Sequence, residues 1–262
     1  MQRVNTLGVG VCHVSMAEAV EAVIQMATSG EPHYVCVSNV HTVMMCQSDP
    51  EYRRIHNEAA MVMPDGRPLG WFQQLQGFDQ QERVYGPDLM LAVCERSIAE
   101  GLSHYFYGGR EGLPEKLAQT LQTRFPGLKV AGCYSPPFRP LTPEEDEADV
   151  KRINESGADI LWVGLGAPKQ ELWMGRHFRR VKVPVMLGVG AAFDFHTGLV
   201  RQAPKRMQRY GLEWLFRLWV EPRRMWRRYV FNNPAFLVLA ACQLLGLKKY
   251  PPGVTLGRSS AL

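Results

Sequence analysis

The sequence predicts an α/β fold built on a mostly parallel sheet, followed by a basic helical appendage. Three observations carry this expectation. Short apolar runs without polar alternation recur through the first two hundred residues, as strands buried on both faces require. Amphipathic stretches bearing helix start and stop residues lie between them. Beyond about residue 200 the Val- and Ile-rich runs end, and Arg, Trp, Leu and Phe take over.

In chain order the strand candidates are 4–11, 33–38, 60–64, 103–107, 128–133, 158–164 and 184–189. Ser15 with Glu18, and Thr142 with Glu145, have the capping-box spacing that opens a helix. Gly30, Gly101 and Gly157 stand where the first, fourth and sixth helices should stop, since glycine enters the left-handed region without penalty. Residues 203–248 read as two or three helices broken at Pro222 and Pro234, because proline lacks the helical N–H and crowds the preceding turn. The expected division is an α/β core over 1–200, a membrane-associating helical appendage over 201–250 and a loose tail over 251–262.

With 46% apolar and 21% charged residues, the 262-residue chain has the composition of a globular protein. Its N-terminus carries acidic residues and no long apolar run, which argues against a secretory signal. Cys12, Cys36, Cys46, Cys94, Cys133 and Cys242 form no Cys-x-x-Cys pair, and most sit in apolar runs. Buried reduced thiols in a cytosolic setting fit better than a zinc site. Charge is uneven: residues 201–249 hold eleven Lys and Arg against two Glu, so an anionic partner is expected there. The apolar run 235–247 would span only about 20 Å as a helix, short of a hydrocarbon core of about 30 Å. Beside so many Arg and Trp it suits an anionic membrane surface, the other reading being a buried helix with a solvated basic face.

Ligands of open parallel sheets bind beyond the carboxyl ends of the strands, and three such ends are rich in polar chemistry. In the first, Asn39 and Thr42 could hydrogen-bond a sugar or base, or Asn39 could cap the following helix; both readings stand. In the second, Asp65 leaves a short strand beside Gly66, placed to take a proton from a hydroxyl, or held as a turn residue by its own backbone. Arg83 nearby can grip a phosphate or pair with Glu82 or Asp88. In the third, Gly164 and Gly166 precede Lys169, Gln170 and Glu171, while Gly188 and Gly190 follow the last strand. Such loops let backbone N–H groups approach a pyrophosphate. Neither completes a dinucleotide fingerprint, and no Walker pattern occurs. The acidic pairs that could hold a metal, such as Asp49 with Glu51 and Glu145 with Glu147, fall at a helix start or on an exposed helix.

These motifs in this order resemble the WecG/TagA/CpsF glycosyltransferases, glycosyltransferase family 26. They are Asn39 with His41-Thr42, Pro64-Asp65-Gly66, Glu82-Arg83-Val84 through Asp88, Gly166 to Glu171, Gly188 to Gly190, Ala203-Pro204, and Gly211 through Arg224 with Trp214, Arg217 and Glu221-Pro222. The resemblance spans roughly residues 5–230. It implies a Rossmann-like core of the GT-E type and an inverting transferase without metal or other cofactor. It also implies a UDP-sugar donor and a polyprenyl-diphosphate-linked acceptor, met peripherally at the cytoplasmic face of the cell membrane in cell-surface polysaccharide biosynthesis. By motif, Asp65 is expected to be the general base. Asn39 and Gln170 are expected at the sugar, Arg83 on substrate, and Arg217, Arg224 and Arg227 in an appendage closing over the site. Gln202 stands before Ala203-Pro204 where the family often has Arg, with Arg201 beside it. N-acetylmannosamine, its uronic acid, glucose and glucuronic acid all fit as the donor's sugar. The oligomeric state stays open, a homo-oligomer included.

Two other classes compete. A nucleotide-dependent oxidoreductase lacks its full glycine signature here. A nucleic-acid-binding protein would use the basic segment, but the adjoining apolar run suits lipid better, so no nucleic acid partner is expected.

Overall fold

The computed structural model describes residues 1–79 and 83–251, without the side chains of Arg209, Arg224, Arg227 and Arg228. The chain opens with β1 (Arg3–Thr6), β2 (Val9–Cys12) and α1 (Met16–Thr28). There follow β3 (His33–Ser38), α2 (Val40–Ser48), α3 (Pro50–Glu58), β4 (Met61–Pro64), α4 (Arg67–Leu75), α5 (Gly86–Glu100), β5 (Ser103–Gly108), α6 (Leu113–Arg124) and β6 (Lys129–Tyr134). The core ends with α7 (Pro143–Glu155), β7 (Ile160–Gly164), α8 (Lys169–His177), β8 (Val185–Gly188) and α9 (Ala192–His196). Three helices complete it: α10 (Lys205–Arg209), α11 (Glu213–Val220) and α12 (Pro222–Leu244).

Six strands form one parallel sheet in the order β4-β3-β8-β7-β5-β6. This is the Rossmann-like α/β architecture expected from the apolar runs. Alternate strand residues feed two cores. Val35, Val37, Met63, Phe106, Trp162 and Leu187 pack under α1, α5 and α6. On the other face Tyr34, Cys36, Val62, Tyr107, Val163 and Met186 meet residues of α2, α3 and α8. Burial on both faces is why these runs show no polar alternation. Both expected capping boxes form, Ser15 with Glu18 and Thr142 with Glu145. Gly30, Gly101 and Gly157 take positive φ just past α1, α5 and α7. Cys12, Cys36, Cys46 and Cys94 are buried, Cys133 and Cys242 half-buried, and all six are free thiols.

Two expectations change. The run 4–11 is not one strand but an antiparallel hairpin, β1 with β2. Leu7 and Gly8 both have positive φ at its tip, and the Asn5 side chain accepts the Gly8 N–H at 2.8 Å. Pro234 does not break α12, which runs unbroken to Leu244. Its C-terminal half is seated on the core: Phe236 is buried edge-on to Phe72 at 5.9 Å, and Gln243 both donates to Asn5 O and accepts from Leu7 N of the hairpin. Aromatic burial and these bonds offset the hydrogen bond that proline removes, about 3 kcal/mol in a helix interior. Pro222 does act as a boundary, opening α12 at its first turn. The expected tail, from residue 252 on, lies outside the described residues.

His104 on β5 locks three elements together. Trp162 Nε1 donates to its Nδ1 at 2.9 Å, so the proton sits on Nε2, which faces Ser97 Oγ at 2.8 Å. Burial pushes His104, and likewise His56, down from 6.5 to about 4. The unfolded chain therefore takes up protons near pH 6.5 that the native state refuses until about pH 4. Stability is complete above that window and is lost as pH falls through it. Thermal melts between pH 7.5 and 4 should show this decline, on the order of 2–3 kcal/mol per histidine. His104→Phe should remove about half of it, leaving the His56 part, while destabilising the protein at neutral pH.

Candidate active site

All six parallel strands end on one rim, where an open cleft of about 2240 Å³ is lined from both the core and the appendage. That exceeds the few hundred to about 1,000 Å³ of a single small-molecule site. At its floor Asp65 continues the β3–β4 ladder, its N–H donating to Ser38 O at 2.8 Å. Gly86 N–H donates to Asp65 Oδ1 at 3.3 Å, and the Asn39 side chain also bonds the carboxylate. Asn39 is at the same time the N-cap of α2, its Oδ1 accepting the His41 N–H at 3.0 Å. The capping reading thus holds for the oxygen, while the carboxamide supports Asp65. The buried Thr42 hydroxyl is spent within the same capping box, donating to Asn39 O and accepting from Asn39 N, both at 2.9 Å.

Among the described residues, Arg83 is held by the appendage rather than by Asp88. Its guanidinium meets Glu213 Oε2 at 2.6 Å and Gln208 Oε1 at 2.7 Å, both brought in by the appendage, and lies 4.1 Å over the Tyr85 ring. Of the two residues proposed as its partners, Glu82 lies outside the described residues. Asn232 of α12 reaches His41 at 2.7 Å, a second polar tie across the cleft. Gly211, ahead of α11, lies flat against Trp71 of α4; a Cβ there would sit 2.8 Å from the indole.

The glycine loops form the opposite wall. Gly166 and Gly190 both have positive φ, and both direct their N–H groups to Gln170 Oε1, at 3.2 and 2.9 Å. Those two N–H groups therefore brace the loops rather than point into the cleft. Gln170 Nε2 donates to the buried Glu171 at 2.7 Å. Lys169 opens α8 with its ammonium 4.4 Å from the Phe138 ring, and Phe138 is 94% exposed at the rim. Arg217 lines the cleft beside Phe195, 5.7 Å from that ring's centre. Arg224 and Arg227 lie on α12, but their side chains fall outside the described residues.

The family model for glycosyl transferases of the WecG/TagA/CpsF family matches residues 4–250. The chain belongs to that family. It is a glycosyltransferase of polysaccharide biosynthesis, using a nucleotide-sugar donor and a lipid-linked acceptor. Among the described residues no helix is long and apolar enough to cross a membrane.

At the floor of the cleft the Asp65 carboxylate is displaced well away from its ordinary titration. Burial, and next the Glu213 carboxylate, push Asp65 from 3.8 up to about 6; Arg83, the Gly86 N–H and Asn39 offset part of this. The group is mostly ionised at neutral pH yet a stronger base than an ordinary aspartate. Glu213 was not among the site residues expected from the sequence, where it is one of two acids in a basic segment. Its place in Gly211-Leu-Glu-Trp214 was the available signal. Gln208, Tyr85 and Tyr52 carry no signal at all, since only the fold brings them to the cleft and its supports.

Because folding raises the Asp65 pKa, its contribution to stability is present below about 3.8 and lost as pH rises through about 6. Asp65→Asn removes that penalty and keeps a side chain that can bond Gly86 and Asn39. The variant should unfold at higher denaturant than the parent at pH 8, by about 1–3 kcal/mol, with the difference shrinking toward pH 4.

Proposed function

We propose that the chain is an inverting transferase that moves a sugar from a UDP-sugar onto a polyprenyl-diphosphate-linked saccharide at the inner face of the cell membrane. Asp65 carries the reading: a carboxylate at the cleft floor with its pKa raised to about 6, backed by hydrogen bonds that orient it. Inversion needs one displacement and one base. The acceptor hydroxyl oxygen attacks the anomeric carbon, its proton passes to Asp65, and the bond from that carbon to the diphosphate oxygen breaks. UDP departs with the electron pair, its charge met by cations of the cleft, Arg217 and Lys169, with Arg224 and Arg227 proposed to join them. Asn39 and Arg83 hold the base and the sugar's surroundings, and Gln170 shapes the loops beneath.

Residues 201–250 act in this scheme as the appendage that carries lipid contact, on a core formed by residues 1–200. Trp219, Phe231, Leu237, Val238 and Leu247 are exposed between the basic positions of that segment. An apolar face ringed by Arg and Trp suits peripheral binding to an anionic bilayer.

The test is a panel of UDP-sugars offered with a short-chain lipid-diphosphate saccharide, the products weighed by mass spectrometry. One donor should add the mass of its own sugar residue with inverted anomeric configuration; no mass gain with any donor sinks the proposal. Asp65→Asn should lower turnover by at least about 100-fold. The parent should lose kcat/KM as pH falls through about 6. Glu213→Gln, by removing a neighbouring negative charge, should move that acid limb to lower pH.

Lipid contact is checked by flotation with vesicles containing anionic phospholipid. Trp219→Ala with Leu237→Ala should weaken flotation about tenfold, and high salt should weaken that of the parent. Turnover of a water-soluble acceptor should change little; equal flotation of parent and variant would remove these residues from the contact.

A further inference from the structure

Beneath the glycine loops runs a buried chain that the proposed displacement does not use. Tyr52 Oη of α3 donates to Glu171 Oε2 at 3.0 Å. Gln170 Nε2 donates to Glu171 Oε1 at 2.7 Å, and Gln170 Oε1 accepts from Gly190 N and Gly166 N at 2.9 and 3.2 Å. Tyr52 and Glu171 have no exposed surface, and Gln170 is 3% exposed.

The chemistry allows one orientation of this amide. Two N–H groups converge on one end of it, so that end must be the oxygen, and the NH₂ must then face an acceptor. In a buried position an unmatched NH₂ costs about 1–3 kcal/mol, enough to favour withdrawal of the side chain from this position and release of both loops. Glu171 is that acceptor, and Tyr52 fixes Glu171 in turn. Their meeting depends on close packing of α3 against α8. At Gly175 of α8 a Cβ would come 2.7 Å from Ile55 of α3, so any larger residue would push the helices apart. The amide itself lies against Gly188 of β8, where a Cβ would be 3.2 Å from Gln170 Nε2.

We infer that Tyr52 and Glu171 are positioning residues that hold the Gln170 amide in the one orientation tying the Gly166 and Gly190 loops together. Glu171 is fully buried and both its oxygens receive protein donors, which directs its action to Gln170 rather than to substrate. The spacing of the loops after β7 and β8 is then set by one amide oxygen.

The geometry stands by itself; only the kinetic readout rests on the glycosyl-transfer reading. Glu171→Gln keeps an oxygen for Gln170 and turns its NH₂ to Tyr52, whose hydroxyl can switch from donor to acceptor. Glu171→Ala leaves the Gln170 NH₂ unmatched. Hydrogen exchange of peptides covering 164–170 and 188–191 should be native-like in Glu171→Gln and at least about tenfold faster in Glu171→Ala. Transfer should follow the same order: kcat/KM within about threefold of the parent in the first, and down about 10- to 100-fold in the second. On a Gln170→Ala background, Glu171→Ala should add little, because its route to the cleft is already cut. If Glu171→Ala fails to fold, Tyr52→Phe gives the same exchange pattern at smaller amplitude. Native exchange in Glu171→Ala, or in Tyr52→Phe where that variant stands in, would overturn the inference. So would a Glu171→Gln enzyme as inactive as Glu171→Ala with undisturbed loops, since the charge would then act directly. If the parent transfers no sugar, the functional proposal fails, and the exchange experiment still decides this one.

Discussion

Asp65 sits where burial and the Glu213 carboxylate both oppose its charge, while Arg83, a backbone N–H and Asn39 offset only part of that opposition. The balance is struck by groups from distant parts of the chain. Asn39 ends the strand beside it, Arg83 precedes α5, and Glu213 opens α11. Because Glu213 and Gln208 grip Arg83 from the appendage, the ion pair that shifts the Asp65 pKa is also the contact that seats the appendage over that carboxylate. The pair is largely buried, with 13% and 16% of the two side chains exposed, so it is far less screened than a surface salt bridge. A change in how the appendage lies is therefore a change in the basicity of Asp65.

The two walls of the cleft are built differently. The loops after β5, β7 and β8 are pressed together by missing side chains. A Cβ at Gly108 would strike the Gly164 backbone at 2.7 Å, and one at Gly164 would meet the Phe193 ring at 2.9 Å. Gly109 N–H completes the contact on Gly164 O at 3.0 Å. This wall is fixed by backbone packing and by the Gln170 amide, which suits a site that must be organised before charge develops. The appendage wall is held through side chains: Arg83 with Glu213, Asn232 with His41, Trp71 against Gly211 and Phe72 against Phe236.

What could be read from the sequence follows the range of each interaction. The run 33–38 is β3 to the residue, because four buried apolar residues, Tyr34 to Val37, between turn signals report a local pattern. The capping boxes are equally local. The hairpin within 4–11 was hidden because its turn uses Leu7 at positive φ, a conformation for which leucine is no signal. Helix α12 passes Pro234 because Phe236 and Gln243 find partners in α4 and the hairpin, which no local rule contains. Of the site, Asp65 was legible as an acid leaving a strand beside glycine. The partners of Arg83 were not, since they lie 125 and 130 residues away.

The same distinction explains how the basic segment joins the site. Its composition suggests a uniform cationic surface, yet its two acids lie inward, on arginines of the cleft. Glu213 pairs with Arg83, and Glu221 is 3.9 Å from Arg217. A carboxylate there costs little, because it faces a guanidinium whose charge it holds in place. Apolar residues such as Trp219 and Leu237 remain on the outside. One short segment thereby presents two chemistries: paired charge toward the cleft, and exposed aromatic and aliphatic surface away from it. Removing Glu213 would free the Arg83 guanidinium without adding a cation, so the effect should be felt at Asp65 before it is felt on the exposed apolar surface.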